Sequence, residues 1–455
     1  MEQTNNIEQA ILKAGNLLAG TVGIGAVRDY LLPLFFVKYI EENSFSALFA
    51  QRNDPGLGER INKTFAAIEA DNAQTLSGVL TVADYSNTVL FGGQEQRDRV
   101  LKGVLEYIAP LDLHQQELGK TFDRILERLA GISGSGKYGP CYTRPFVSDL
   151  ISSLAAPREG ETIYDPACGS ASLLIKTAKK AKGYSAGLYG QDIDISTAAV
   201  AKMNVLINGF TRATITQGDT FANPAFTAAG NKLKQFDIVI SDIPLNKRNW
   251  KAGLRPDEDP HVKLENSTDP FHRFKYGVPS ASWSSWAFLQ HMLASCNGHG
   301  RVIATAPAGA LFRISSERDI RCNIIEENLL DAVLALPKNS FLETAVSGCI
   351  LVFKKKRKER DVFFIDTEKM GVDEIVAAHI KRTNVENYAR RISIDEIRNN
   401  DYNLSLNRYI NSAEDGKTGP RDIQKINELI GHIKDEIEIL DTEMKRCFKE
   451  IDNGK

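Results

Sequence analysis

Paired cysteines and long apolar runs are both missing from this 455-residue chain. Its six cysteines contain no CxxC pair, which argues against a disulfide framework or a zinc site. No uninterrupted apolar stretch approaches the ~18 residues of a membrane helix. Residues 1–6 lack the basic start of a signal peptide. We therefore expect a soluble, cytoplasmic protein with no metal and no membrane partner.

An excess of positive charge is also lacking. The chain has 56 Lys and Arg against 58 Asp and Glu, a net charge of −2. Phosphate neutralisation dominates affinity for nucleic acids, so a strong solitary binder usually has a basic excess. If nucleic acid is the substrate, a partner is expected to supply much of the binding affinity. The basic cluster, Lys354–Arg360, could contact phosphates, but a solvated turn after a strand is the better interpretation.

The hydrophobic pattern divides the chain into regions. Residues 1–130 show helical periodicity, and a Gly/Ser-rich break follows at 131–136. Residues 137–411 alternate short apolar runs with helical stretches, which predicts an α/β fold with a doubly wound, parallel sheet. Ligands of such sheets bind at the carboxyl ends of the strands. The predicted strands contain residues 162–164, 188–190, 215, 238–240, 301–304, 332–334 and 350–353.

The last region carries the most regular periodicity of the chain. After a polar linker at 412–420, apolar residues follow a 3–4 spacing for four heptads from Ile423 to Ile451. This spacing predicts a coiled-coil helix at 421–452 that pairs with another helix during subunit assembly. The alternative is a terminal helix that packs on its own domain.

A candidate cofactor site follows the first predicted strands. Asp165 begins a tight turn of small residues, Asp165–Ser172, that leads into a helix. Asp192 follows the next strand, where a carboxylate suits ribose hydroxyls, and Asp219 follows the third, where an adenine edge could be met. The GxGxxG motif of nicotinamide sites is absent. Each aspartate alone could simply cap a helix or turn, but the ordered set favours a cofactor site.

These residues also carry a family resemblance. Asp165–Leu174 (DPACGSASLL) resembles motif I of amino-methyltransferases that act on DNA, and Lys137–Pro145 resembles their GEFYTPR segment. Further matches at 273–279, 286–291, 311–313, 336–341, 401–405 and 408–410 extend the likeness to the methylation subunit of type I restriction-modification systems. The resemblance implies a Rossmann-like methyltransferase sheet that binds S-adenosylmethionine. The cofactor residues it implies are Tyr142, Thr143, Asp165, Gly169, Ser170, Ala171, Ser172, Asp192 and Asp219.

The same family places NPPF or NPPY after the strand at 236–240, where this chain has Asp242-Ile243-Pro244-Leu245. In the family the target adenine is flipped out of the duplex. A side-chain oxygen and a backbone carbonyl then accept the two amino hydrogens, and the aromatic ring stacks on the base. The resemblance implies Asp242, Ile243, Pro244 and Leu245 as catalytic residues, although Leu245 cannot stack.

Two hypotheses follow from these residues. The first is methylation of the N6 amino group of adenine in DNA, with a specificity subunit bound through the C-terminal helix, a second copy of the chain and optionally a restriction subunit. The second is a catalytically impaired paralogue that binds cofactor or DNA and acts in assembly. Trp250, Trp283 or Phe271 could supply a substitute ring, although packed aromatics are more common. A small-molecule or RNA methyltransferase fits the breadth of the match less well.

Overall fold

A computed structural model describes residues 2–114, 117–132, 143–244, 250–251, 254, 265, 268–341 and 347–410. Residues 1–409 form one compact unit, so the boundaries at 130 and 137 stay predictions. Tyr142, Leu245 and the helix predicted at 421–452 lie outside the described residues. Within the described part, none of the helices has both the length and the apolar character to cross a membrane.

The N-terminal part is helical, as its periodicity predicts. The central helix, Val27–Ile40, is buried along most of its length because it is apolar on nearly every face, and it contains Pro33. The other helices present one apolar face to it and to each other. In chain order these helices are α1 Glu2–Val22, α2 Val27–Ile40, α3 Glu42–Ala50, α4 Leu57–Asp71, α5 Ala73–Leu76, α6 Thr88–Phe91, α7 Gln94–Ile108 and α8 Leu118–Ile132.

The following part contains a large mixed sheet, which confirms the predicted α/β class. Its strands are β1 Ile163–Asp165, β2 Leu188–Asp192, β3 Thr214–Gln217, β6 Phe236–Ser241, β7 Cys296–Pro307, β8 Leu330–Ala335, β9 Gly348–Lys354, β10 Val362–Asp366 and β11 Ala389–Ile392. The strand order is β11-β10-β8-β9-β7-β6-β1-β2-β3. Strand β9 is antiparallel to β7 and β8, and β11 is antiparallel to β10. A separate small hairpin joins β4 Thr227–Ala228 and β5 Lys232–Leu233.

Helices connect these strands: α9 Pro145–Ala155, α10 Ser172–Ala178, α11 Ile195–Ile207, α12 Ser285–Ser295, α13 Ser316–Glu326, α14 Val372–Lys381 and α15 Ile394–Asn399. Helix α11 is buried on both sides. Its Val200, Met203 and Ile207 belong to the same hydrophobic cluster as the N-terminal helices. The N-terminal helices therefore pack directly against the helix that follows β2.

A buried ionic cluster marks one edge of the sheet. The Asp331 carboxylate lies 2.7–3.2 Å from side-chain nitrogens of Lys354, Arg357, His379 and Arg382. Burial opposes ionisation, but these neighbours outweigh it and hold the pKa of Asp331 well below its usual range. Because β9 is antiparallel to β7, its end at Lys354 meets the beginning of the parallel strands. The basic cluster therefore starts at the edge opposite the carboxyl ends of those strands.

Candidate cofactor and catalytic site

The carboxyl ends of three neighbouring strands carry aspartates. Strand β1 lies between β2 and β6 and is parallel to both. Strand β1 ends at Asp165, β2 ends at Asp192, and Asp242 directly follows β6. The structure thus brings these three predicted site residues to one edge, close enough for the charges of Asp192 and Asp242 to act on Asp165. This is the edge at which open α/β sheets bind ligands.

The turn after β1 is held by hydrogen bonds from its own backbone. The Ala167 N–H donates to Asp165 Oδ1 at 2.9 Å, and the Gly169 N–H donates to Asp192 Oδ2 at 3.0 Å. Gly169 and Ala171 adopt left-handed conformations, with φ of 53° and 62°. The strain is negligible for glycine but about 1–2 kcal/mol for alanine. The conformation brings the backbone of the turn to the edge of the sheet, where a ligand could approach it closely.

Asp165 is almost completely buried, with 1% of its surface exposed. Burial raises its pKa to about 7, and the negative charges of Asp192 and Asp242 add to the rise, while the Ala167 N–H lowers it. An ionised Asp165 is therefore costly without a nearby cation. A cationic ligand at this edge would remove part of that cost.

Asp192 has a pKa that burial also raises, against two backbone hydrogen bonds that lower it. Its Oδ2 accepts from Gly169 and its Oδ1 accepts the Asp194 N–H at 3.0 Å. Each carboxylate oxygen keeps a second lone pair. The residue can therefore accept hydrogen bonds from a pair of ribose hydroxyls, as its position after β2 predicts.

Ser170 and Ser172 lie on either side of Ala171. Their hydroxyl oxygens are 3.0 Å apart, and the Ser172 hydroxyl donates to Asp123 Oδ1 at 3.0 Å. Asn204 Nδ2 donates to the Ser170 carbonyl at 2.9 Å. Asn204 Nδ2 also donates to the Ser172 hydroxyl at 3.2 Å. The side chain of Ser172 thus contacts α8 and α11, and a direct contact of this hydroxyl with a cofactor stays a prediction.

Asp219 lies in the turn after β3. Its Oδ1 accepts the N–H groups of Phe221 at 2.8 Å and Ala222 at 3.3 Å. The preceding Gly218 N–H donates to the Asp192 carbonyl at 2.8 Å, which places the turn beside the end of β2. Asp219 therefore caps its own turn, which is the alternative role considered for each aspartate. Its contact with an adenine edge stays a prediction.

Asp242 is held by two threonines. The Thr305 hydroxyl donates to Asp242 Oδ1 at 2.6 Å, and the side chain of Thr143 forms a second hydrogen bond. Burial raises the pKa of Asp242, although both threonines lower it. Ile243 is buried and Pro244 is partly buried. Thr143 belongs to the segment before α9, which the family resemblance places beside the cofactor. Its hydrogen bond to Asp242 connects this segment to the predicted catalytic segment.

Thr305 is a site residue that the sequence analysis misses. It is fully buried in β7, the strand that pairs with β6 in parallel. The available signal was a single hydroxyl in the otherwise apolar end of this strand, Val302–Ala306. Its partner lies 63 residues away in sequence, and only the pairing of β6 with β7 brings the two together.

The fold and the arrangement of the site agree with one protein family. The model of the family described as N-6 DNA Methylase matches residues 113–418. The chain belongs to the N-6 DNA methylase family. The match begins before α8 and covers the described sheet, so it includes Asp165, Asp192 and Asp242.

Relatives of this chain are similar to it over most of their lengths. The type I restriction enzyme MpnII methylase subunit of Mycoplasma pneumoniae is 25% identical, and the match covers 96% of this chain and 86% of the relative. The HindI methylase subunit of Haemophilus influenzae is also 25% identical, over 84% of this chain and 89% of the relative.

Solved structures support the same fold. The type I restriction-modification methyltransferase subunit of Streptococcus thermophilus superposes with a TM-score of 0.72 at 22% identity, covering 90% of this chain and 100% of that one. A putative class I S-adenosylmethionine-dependent methyltransferase from Listeria monocytogenes gives a TM-score of 0.52 at 16% identity, over 83% and 98% of the two chains. At these identities the likeness concerns the fold.

The aromatic residues considered as substitutes for a stacking ring have different surroundings in the structure. Trp250 is buried against Phe221 and Phe274, and its Nε1 donates to the Ser280 carbonyl at 2.9 Å. It is therefore a packed residue. Trp283 is partly exposed, and the Arg313 guanidinium lies 3.8 Å from its ring centroid. Within the described residues, no group of three or more His, Cys, Asp or Glu is arranged to hold a metal.

Proposed function

We propose that this chain is the methylation subunit of a type I restriction-modification system and transfers a methyl group from S-adenosylmethionine to the N6 amino group of adenine in DNA. The observation that carries the proposal is the position of Asp242. Two threonines hold its carboxylate at the same sheet edge as Asp165 and Asp192. The family membership and the names of the type I relatives support the same reaction.

The edge fits S-adenosylmethionine on chemical grounds. The cofactor carries a sulfonium and an ammonium group, and Asp165 and Asp192 supply carboxylates whose ionisation burial makes costly. Asp192 has lone pairs free for the ribose, and the left-handed turn at Gly169 allows close approach of the backbone. When bound, the cofactor supplies an electrophilic methyl group. The residues that would hold it are Tyr142, Thr143, Asp165, Gly169, Ser170, Ala171, Ser172, Asp192 and Asp219.

Asp242 would orient the target amino group. Its carboxylate accepts one amino hydrogen of a flipped adenine, and the carbonyl of Ile243 accepts the other. These hydrogen bonds hold the nitrogen lone pair towards the methyl group and stabilise the positive charge that develops on the nitrogen during transfer. Thr305 and Thr143 keep the carboxylate in place, and Pro244 restrains the backbone that follows Ile243.

The partners follow from the same proposal. A net charge of −2 fits a subunit that relies on a partner to recognise the DNA target. We therefore propose a cytoplasmic complex with DNA, a specificity subunit bound through helix 421–452, a second copy of this chain and optionally a restriction subunit.

Methylation of DNA with labelled S-adenosylmethionine tests the reaction. The chain is co-expressed with the specificity subunit, which is sought as a neighbouring reading frame with two target-recognition segments, and the methylated base is identified by mass spectrometry. The expected product is N6-methyladenine. Cofactor binding measured by calorimetry without any methylated product would instead identify a catalytically impaired subunit.

A Leu245→Phe variant is expected to increase kcat/KM for DNA by roughly 5-fold or more. The added ring can stack on the flipped adenine, a contact of about 1–3 kcal/mol in single-strand binders. Steady-state methylation assays measure the change, and Leu245→Met serves as the control because it adds no ring. Equal rates for the Phe variant and the wild type would mean that another residue, such as the partly exposed Trp283, already contacts the base.

An Ile437→Gln variant is expected to weaken binding of the specificity subunit by at least roughly 10-fold. Ile437 belongs to the predicted heptad seam, and a buried isoleucine contributes about 1.5–3 kcal/mol. Glu438→Gln, the next residue and at a predicted heptad position (b) away from the seam, is the matched control. Interferometry with the immobilised partner measures both dissociation constants. Equal affinities of the two variants would contradict assembly through this helix.

A further inference from the structure

Two charged side chains from the N-terminal helices reach the proposed cofactor edge. The first is Arg28 of α2, whose Nη1 donates to Thr197 Oγ1 at 3.3 Å and whose Nη2 lies 3.6 Å from Asp194 Oδ1. Asp194 and Thr197 form the beginning of α11, directly after β2. The positive charge of Arg28 also opposes the burial that raises the pKa of Asp192. An N-terminal helix therefore stabilises the segment that carries the proposed ribose-binding carboxylate.

The second side chain is Asp123 of α8. Its Oδ1 accepts the Ser172 hydroxyl at 3.0 Å and Asn204 Nδ2 at 3.4 Å. Asn204 is fully buried in α11, and the same Nδ2 donates to the Ser170 carbonyl at 2.9 Å. Asp123 thus connects α8 to both ends of the Ser170–Ser172 turn. The family match begins at residue 113 and includes α8.

The buried surroundings of Asp123 show how its contacts restrain the Ser170–Ser172 turn. The carboxylate is largely removed from water, and burial raises its pKa against hydrogen bonds from Ser172 and Asn204 and the charges of Lys179 and Lys176. If the carboxylate were removed, Asn204 would keep the Ser170 carbonyl and the Ser172 hydroxyl as acceptors, whereas Ser172 would lose its contact with α8. The turn between them, with Ala171 in its left-handed conformation, would then be less restrained.

We propose that Asp123 is a positioning residue for S-adenosylmethionine, which fixes the Ser170–Ser172 turn and so couples cofactor binding to the packing of α8 against α10 and α11. The inference rests on the proposed cofactor site. Because coupling between two events is reciprocal, an ordered α8 strengthens cofactor binding, and bound cofactor stabilises α8. The N-terminal helices are then part of the cofactor site rather than a separate attachment.

Cofactor binding by two Asp123 variants tests the positioning role. We expect Asp123→Ala to raise the Kd and the KM for S-adenosylmethionine by roughly 10-fold and to change kcat by less than about twofold, since the residue does not touch the reacting atoms. Asp123→Asn keeps an oxygen acceptor for Ser172 and is expected to recover most of the affinity. Glu127→Ala, on the exposed face of the same helix, is the matched control. Calorimetry gives Kd, and methylation assays with the specificity subunit give KM and kcat.

Hydrogen exchange of the wild-type chain provides a test that does not depend on a variant. We expect S-adenosylmethionine to slow amide exchange in residues 118–132 as well as in residues 165–172. A Kd for Asp123→Ala within twofold of the wild type, or unchanged exchange in 118–132, would overturn this inference while the cofactor site stands. Failure of the wild-type chain to bind the cofactor would overturn the proposed site and the inference together.

Discussion

Replacement of Asp242 by alanine is expected to lower kcat for methyl transfer by roughly 100-fold or more. The carboxylate would accept an amino hydrogen of the target adenine, and this hydrogen bond strengthens as positive charge develops on the nitrogen. Removal of a preorganised group that stabilises transition-state charge lowers kcat by about 10²–10³ in other enzymes. Single-turnover methylation with labelled cofactor measures the effect, and Kd for the cofactor is expected to change little.

The matched control is Asp242→Asn, which keeps an oxygen acceptor for the amino group and for Thr305, the donor at 2.6 Å. We expect this variant to remain active. It should also differ from the wild type in its pH profile. Burial raises the pKa of Asp242, so the wild-type carboxylate is protonated at a higher pH than an ordinary aspartate. We therefore expect the activity of the wild type to fall as the pH is lowered, whereas the amide of Asp242→Asn does not titrate. Full activity of Asp242→Ala would remove Asp242 from the mechanism.

The strands that order the site were predictable because their apolar runs are short and bounded by turn residues. The prediction included β1, β2, β3, β6, β7, β8 and β9. It missed β11, Ala389–Ile392, because this edge strand has two exposed arginines at its centre, which conceal its buried ends. It also missed β10, Val362–Asp366, although the strand is an apolar run. The reversed direction of β9 could not be predicted, since a strand's own residues do not encode its orientation in a sheet.

The aspartates at the strand ends were predictable for a different reason. Carboxyl ends of parallel strands meet at one edge, so Asp165 and Asp192 had to lie close together once their strands were identified. Contacts across the fold are not encoded in this way. Asp123 and Ser172 are 49 residues apart, and Asp242 and Thr305 are 63 apart. Only the packing of α8 and the pairing of β6 with β7 bring these pairs together.

An Asp165→Asn variant is expected to gain stability relative to the wild type as the pH rises. The folded-state pKa of Asp165 is about 7, and the unfolded value is about 3.9. Since the folded pKa is the higher one, the wild type is stabilised by the bound proton at low pH and loses this contribution as the pH rises from about 4 to 7. The total is on the order of 4 kcal/mol, of which roughly 2–3 kcal/mol falls between pH 5 and pH 8. Urea unfolding at both pH values measures it.

Asp237→Asn is the control of opposite sign. Burial raises the pKa of Asp237, but hydrogen bonds from Thr162 and Asn297 outweigh this and lower it. The ionised form is therefore the stabilising one, and the wild type gains this contribution as the pH rises to the unfolded pKa of about 3.9. Asp237→Asn should lose stability relative to the wild type over that acidic range and run parallel to it between about pH 5 and pH 8. The cofactor supplies a second measurement for Asp165. If the ionised carboxylate contacts a cationic ligand, Kd for S-adenosylmethionine should fall as the pH rises towards 8 in the wild type and should fall less steeply in Asp165→Asn, where Asp192 still titrates. If the free energies of unfolding of Asp165→Asn and the wild type changed with pH in parallel, a proton on the buried Asp165 carboxyl would be contradicted. If their Kd values for the cofactor changed in parallel, a contact between the ionised Asp165 carboxylate and the positive charge of the cofactor would be contradicted.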